Sequence, residues 1–114
     1  MFTTFKILCE KIRAILARKG IKARDFLDVY LICREFRIEL DDVYGCSVEK
    51  TRFTLSLYER YRKNLEEKKN IVTSAPFTWG EEKGLLLKDI DENEFYKFLE
   101  KLKKFLKKVV DELT

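Results

Sequence analysis

The sequence predicts an all-α protein, a single small bundle of about four to five helices spanning residues 1–114 as one domain. Three observations predict it. The chain has 114 residues with only 4 Gly and a single Pro, so little interrupts a helix. It is 46% hydrophobic and 39% charged, rich in the Lys, Glu and Leu that helices favour, and apolar residues recur at helical rather than alternating spacing. A chain of this length buries about two-thirds of its unfolded surface and needs no disulfide or metal to hold it.

In the first segment Phe5, Leu8, Ile12 and Ile15 recur at three- and four-residue steps, with Lys6, Glu10, Arg13 and Lys19 mostly elsewhere. The run ends at "ARKG", where basic residues suit the negative end of the helix dipole and Gly20 suits a left-handed position. The first helix therefore runs from about Thr3 to Lys19. "KARDFLDVYLICREF" follows, residues 22–36, with apolar residues from Phe26 to Phe36 leaving almost no polar face. It predicts the most buried helix, and Asp25, Asp28 and Glu35 fall on one narrow stripe.

"RIELDDVYG" reads as a turn and a short helical piece closing at Gly45. Ser47 is then placed to cap a third helix reaching about Lys69, with Val48, Thr51, Leu55, Tyr58 and Leu65 on one face. "NIVTSAPFTWGEEKG", residues 70–84, holds the breakers and predicts a loop, followed by the short apolar run "LLLKDI". Asp91 and Glu94 have capping-box spacing ahead of a strongly amphipathic last helix. Its inward face is Phe95, Phe98, Leu99, Leu102, Phe105, Leu106, Val109 and Leu113; Lys97, Lys101, Lys104 and Lys108 face out.

Several chemistries are excluded by composition. With no histidine there is no Ser-His-Asp or Cys-His nucleophile and no imidazole metal site. No Gly-rich phosphate loop is present. Cys9, Cys33 and Cys46 are odd in number and form no CxxC pair, which predicts neither zinc nor a disulfide and favours a reducing, cytoplasmic setting. The N-terminal run is broken by charge every few residues and so is neither signal peptide nor membrane span. The high charged fraction is thermophile-like. The net charge of +4 permits nucleic-acid contact without arguing for it. The C-terminal lysines read as a solvated face, because Glu100, Asp111 and Glu112 interleave with them. "DID", Asp89 to Asp91, has the alternation of a magnesium-gripping pair, but Asp91 already serves as a cap.

Asp25 and Asp28 leave two readings open. Both suit the first turn of a helix, and Arg24 stands four residues before Asp28, so capping and a local ion pair are one account. Both also sit among apolar neighbours, where a carboxylate needs a partner or a ligand, and Lys11 and Arg18 of the first helix are within reach of a tight hairpin.

"EKIRAILAR", residues 10–18, followed by "KARDFLDVY", residues 22–30, resembles two C-terminal motifs of the AbiEii/AbiGii-type nucleotidyltransferase toxin family. Lys11, Ala14 and Arg18 match the first motif; Arg24, Asp25 and Asp28 match the second. Trp79 and the Phe-rich last helix also look like that family's tail. The resemblance implies that Lys11 lies near nucleotide phosphates and that Asp25 assists the acceptor or orients the lysine, both in catalytic roles. Arg18, Arg24 and Asp28 are implied as supporting or nucleotide-binding residues, with Asp28 tied to Arg24. The family's metal-gripping half, a Gly-Ser turn followed by Asp-x-Asp on a strand, has no counterpart here. The resemblance therefore implies a stand-alone C-terminal helical half, inactive by itself and without a cofactor. Completed by a nucleotidyltransferase-core subunit, it would use magnesium and a nucleoside triphosphate, with RNA in the complex, in a toxin–antitoxin or phage-defence setting. The competing expectation is a helical interaction or regulatory module with no nucleotide chemistry.

Overall fold

A computed structural model of the chain describes residues 2–20, 22–69 and 88–114, with no side-chain detail at Phe2. Among these it contains five α-helices and no strand: α1 (Phe2–Ala17), α2 (Ala23–Phe36), α3 (Tyr44–Leu57), α4 (Glu59–Lys68) and α5 (Glu92–Leu113). A 3-10 turn at Leu40–Val43 leads into α3. The loop at 70–84, Trp79 and most of "LLLKDI" lie outside the described residues.

The α1 helix lies at the centre and touches α2, α3, α4, α5 and the 3-10 turn. Leu8, Ile12 and Leu16, one to two turns apart, are fully buried, and they meet Phe26 and Val29 of α2 and Leu102, Leu106 and Val109 of α5 in one core. Each such side chain contributes roughly 1.5–3 kcal/mol by leaving water. A smaller cluster joins Leu27 and Tyr30 of α2 to Phe95 of α5, with the Tyr30 ring edge-on to Phe95 at 5.5 Å and to Phe98 at 5.4 Å.

Gly20 adopts a left-handed backbone (φ 78°), which lets the chain reverse from α1 into α2. At the far end of α2, Arg37 is also left-handed, and Ile38 donates its N–H to the Cys33 carbonyl at 3.0 Å while burying its own side chain. That is a Schellman ending, made here with arginine where glycine is usual. Asp91 caps α5 as its spacing predicts, accepting the Glu94 N–H at 3.1 Å, so "DID" is a turn and a cap. Phe36 is 52% exposed, against the expectation that α2 is apolar throughout, because the Schellman turn carries the chain away from the core there.

Two expectations about the middle of the chain are corrected. The third helix begins at Tyr44, three residues early, so Gly45 and Ser47 lie inside it and Ser47 is buried without capping anything. It also breaks at Tyr58, whose backbone is extended (φ −147°, ψ 142°), and resumes as α4. In the last turn before the break, Ser56 Oγ donates to the Phe53 carbonyl at 2.6 Å. Beyond the break, Arg60 lies 4.9 Å and 5.1 Å from the rings of Tyr58 and Tyr61, and Tyr58 is exposed.

The cysteine expectation is corrected as well. Packing α1 against α3 brings Cys9 and Cys46 to a Cα–Cα distance of 6.0 Å as a disulfide, across 37 residues of sequence. Cysteine count therefore gives no argument for a reducing compartment. Cys33 stays a buried free thiol, pushed up to about 11 by burial with Glu39 adding to it. No described helix is long and apolar enough to cross a membrane.

The C-terminal end of α1 is closed from α4. Lys68, only 3% exposed, donates to the carbonyls of Ile15 (2.5 Å) and Arg18, and Asn64 Nδ2 donates to the Ala17 carbonyl at 2.9 Å. These are the carbonyls a helix end leaves without partners. Burial, with the Arg18 guanidinium adding to it, pushes the Lys68 ammonium down to about 8. Lys68→Met strands two carbonyls, at about 1–3 kcal/mol each, and lowers Tm by roughly 5–10 °C. A lysine in the unfolded chain titrates near 10.5, so the folded chain sheds this proton first. Stability linked to Lys68 is therefore lowest below pH 8 and rises between about 8 and 10.5. Thermal melts across that window should show wild type gaining on Lys68→Met as the pH climbs.

Candidate functional site

The first two helices run antiparallel across the Gly20 turn, and that geometry decides the ion pairs. Lys11 and Arg18 are seven residues apart, two turns on one stripe of α1; Asp25 and Asp28 are one turn apart on α2. An antiparallel pair nests the partners, so Arg18, nearer the turn, takes Asp25, and Lys11, farther from it, takes Asp28. Lys11 Nζ reaches Asp28 Oδ2 at 3.1 Å, with side chains 37% and 26% exposed. Arg18 Nη2 contacts Asp25 Oδ2, and the Asp25 residue is buried.

Both carboxylates face cations of α1, and neither caps α2. The residue preceding α2 is Lys22, and no side chain caps that helix; Asp25 gains from the dipole but makes no cap bond. The Arg24–Asp28 pair expected from spacing does not form. Arg24 is exposed and makes no ion pair among the described residues, because Asp28 is turned toward α1. The partners are also exchanged relative to the resemblance: Asp28, rather than Asp25, is the carboxylate that holds Lys11.

The two pairs differ in setting. Lys11 and Asp28 are half-exposed, so the ammonium is held in place while open to an incoming anion. In the second pair the carboxylate is the covered partner: the Asp25 side chain is 12% exposed and that of Arg18 40%. Arg18 Nε is nonetheless buried without a hydrogen-bond acceptor, so the guanidinium has more donors than Asp25 uses. Its backbone is anchored by the Lys68 bond to the Arg18 carbonyl. Summed over the four groups the cluster is neutral. The excess positive charge comes from Lys19, Lys22 and Arg24 around the hairpin end, all exposed. Sequence reasoning missed Asn64 and Lys68, because only the tertiary fold carries α4 to the end of α1.

The donor set does not fit a magnesium ion. Asp25 and Asp28 each already face a cation, and no cluster of three or more Asp, Glu, Cys or His exists among the described residues. What the arrangement can do is offset the charge of a phosphate with a positioned ammonium and guanidinium.

A family model described as nucleotidyl transferase AbiEii toxin, type IV TA system, matches residues 4–113. No match is found among curated proteins or among solved structures.

The pair with the covered carboxylate should matter more to stability than the Lys11–Asp28 pair. An exposed pair contributes about 0–1 kcal/mol, and losing one partner of a fully buried pair costs about 3–5 kcal/mol. With Asp25 covered but Arg18 40% exposed, this pair falls between the two. Asp25→Ala is expected to lower Tm well beyond the loss for Asp28→Ala, and denaturant melts of both variants would check the ordering.

Proposed function

This chain belongs to the AbiEii nucleotidyl transferase toxin family, and from that premise we propose that it supplies the phosphate-holding helical half of a nucleotidyltransferase site whose metal-gripping half is contributed by a partner subunit. The family description supplies the type IV toxin–antitoxin setting. The observation that carries the reading is the antiparallel Lys11–Asp28 and Arg18–Asp25 arrangement on the two matched motifs. In it, Lys11 offsets charge on the nucleotide phosphates and Asp28 holds its ammonium. Arg18 supports the same phosphates from nearer the hairpin turn, oriented by Asp25. Magnesium supplies charge neutralisation and activation of the attacking oxygen in such transfers. Its ligands would come from the partner subunit.

An exposed apolar surface supports the docking of another subunit. Phe53 is 66% exposed and Leu57, one turn on, is 50% exposed. Phe53 shares a shallow hollow with Glu10 and Arg13 of α1. Ile7, one turn before Lys11, is also exposed, so apolar side chains border the face that carries the lysine. The second reading, a helical interaction module without nucleotide chemistry, is favoured by the neutrality of the four-group cluster.

The two readings separate in one experiment. The tagged chain is purified at native level from its source, and the material is assayed for transfer of labelled nucleotide to RNA. Complete reading: transfer accompanies a co-purifying subunit, is absent from the recombinant chain alone, and falls by roughly 10²-fold in Lys11→Ala while Tm shifts little. Transfer by the recombinant chain alone would remove the partner requirement, and full activity of Lys11→Ala/Asp25→Ala would remove the site.

A further inference from the structure

A second feature lies away from the Lys11 hairpin. A groove of about 490 Å³ runs between α5 and the C-terminal half of α2 with the 3-10 turn. One wall is Lys97, Lys101, Lys104 and Lys108, spaced four, three and four residues apart, so they form a single row about 16 Å long on α5. All four are exposed, and none makes an ion pair among the described residues. The lysines on the neighbouring flank behave differently: Lys103 holds Glu100 at 3.3 Å and Lys107 holds Asp111 at 3.1 Å. The carboxylates of α5 thus relieve the lysines that face away from the groove and leave the groove row unrelieved. Like charges at these spacings are mildly destabilising, which an ordinary solvated face avoids by mixing signs.

The floor of the groove is apolar and rigid. Phe98 and Phe105 of α5 form it with Tyr30 of α2, which is edge-on to Phe98. Tyr30 is 3% exposed, and its hydroxyl is buried with no well-formed hydrogen bond; Arg34, over the Tyr30 ring at 5.4 Å, is the group beside it. The groove floor therefore offers mainly apolar contact, with Arg34 on its α2 side beside the Tyr30 hydroxyl.

The opposite wall decides the class of occupant. Glu39 and Asp41 of the 3-10 turn stand across from the lysine row, with Glu94 at one end. A uniform polyanion such as a nucleic-acid strand would meet these carboxylates. A peptide helix satisfies both walls when one edge is acidic, the other is basic, and apolar residues point down. The row's length corresponds to about three helical turns. We propose that this groove is a docking site for an amphipathic helix of a partner protein, acidic along the edge that meets α5. The inference stands apart from the nucleotidyltransferase reading, since it uses none of the Lys11 hairpin.

The probe is a fluorescein-labelled synthetic helix of roughly 18 residues, with leucines on one face, glutamates along one edge and lysines along the other. A scrambled peptide of the same composition and a labelled uridine oligonucleotide of similar length serve as comparisons, all read by anisotropy on the full chain. The helix should bind more tightly than the scramble, and Lys101→Glu/Lys104→Glu should weaken it by roughly tenfold or more. Lys103→Glu/Lys107→Glu should leave binding within about twofold of wild type, and thermal melts should show both variants folded. Lys101→Ala/Lys104→Ala should give the same ordering and serves in place of the charge reversal if that variant does not fold. No binding, equal binding of the scramble, or insensitivity to Lys101 and Lys104 would overturn the proposal. Tighter binding of the oligonucleotide, lost in the groove variant, would overturn it in favour of a polyanion site.

Discussion

Burial of the Leu8–Ile12–Leu16 stripe is the constraint from which the other elements take their places. With α1 only half-covered by any one neighbour, α2, α3, α5 and the 3-10 turn must all close on it, and α4 reaches its end. A helix so enclosed cannot leave its C-terminal carbonyls to water, so Asn64 and Lys68 are drawn in to meet them. Burying a lysine costs several kcal/mol unless its charge is met. The helix end meets it with carbonyls that carry partial negative charge, while the nearby Arg18 works against it. The same clamp holds the Arg18 backbone, so packing and the candidate site share a support.

Charge is sorted by geometry in both regions of interest. In the α1–α2 hairpin, antiparallel nesting pairs Lys11 with Asp28 and Arg18 with Asp25, and that four-group cluster is neutral and ordered. Such a cluster positions its cations without attracting anions strongly, which suits a half-site that works only when a second surface closes over it. Along α5 the opposite occurs: one lysine flank is paired and the other is not. Unpaired charge beside an apolar floor is retained at a cost to the isolated domain and favours an occupant. The hairpin and the groove lie on different sides of α2, so the domain presents two surfaces with separate electrostatics.

Helix placement was legible wherever apolar periodicity and an end signal coincided. Gly20, the Asp91 cap and the inward face of α5 stand as their residues indicate. The α3–α4 break was not legible, because Tyr58 is neither glycine nor proline and its extended backbone has no local sequence signal. The Cys9–Cys46 bridge was hidden for a related reason: no spacing rule marks two cysteines 37 residues apart that meet through helix packing. At the candidate site, Lys11, Arg18, Asp25 and Asp28 were all visible as motif residues, while their pairing was not.

By itself the sequence determined the helical class, most helix boundaries, the excluded histidine chemistry and the motif residues that mark the family. Those properties are local: they follow from period, cap residues and composition. Only the tertiary structure decided which carboxylate meets which cation, that Asp28 turns from Arg24 to Lys11, and that Lys68 closes α1. It alone left the Lys97–Lys108 row without ion pairs among the described residues, beside an aromatic floor. The physical reason is common to all of these. Short-range propensity sets a helix and its faces, but the register between helices is set by core packing, and ion pairs form wherever that register puts opposite charges within reach.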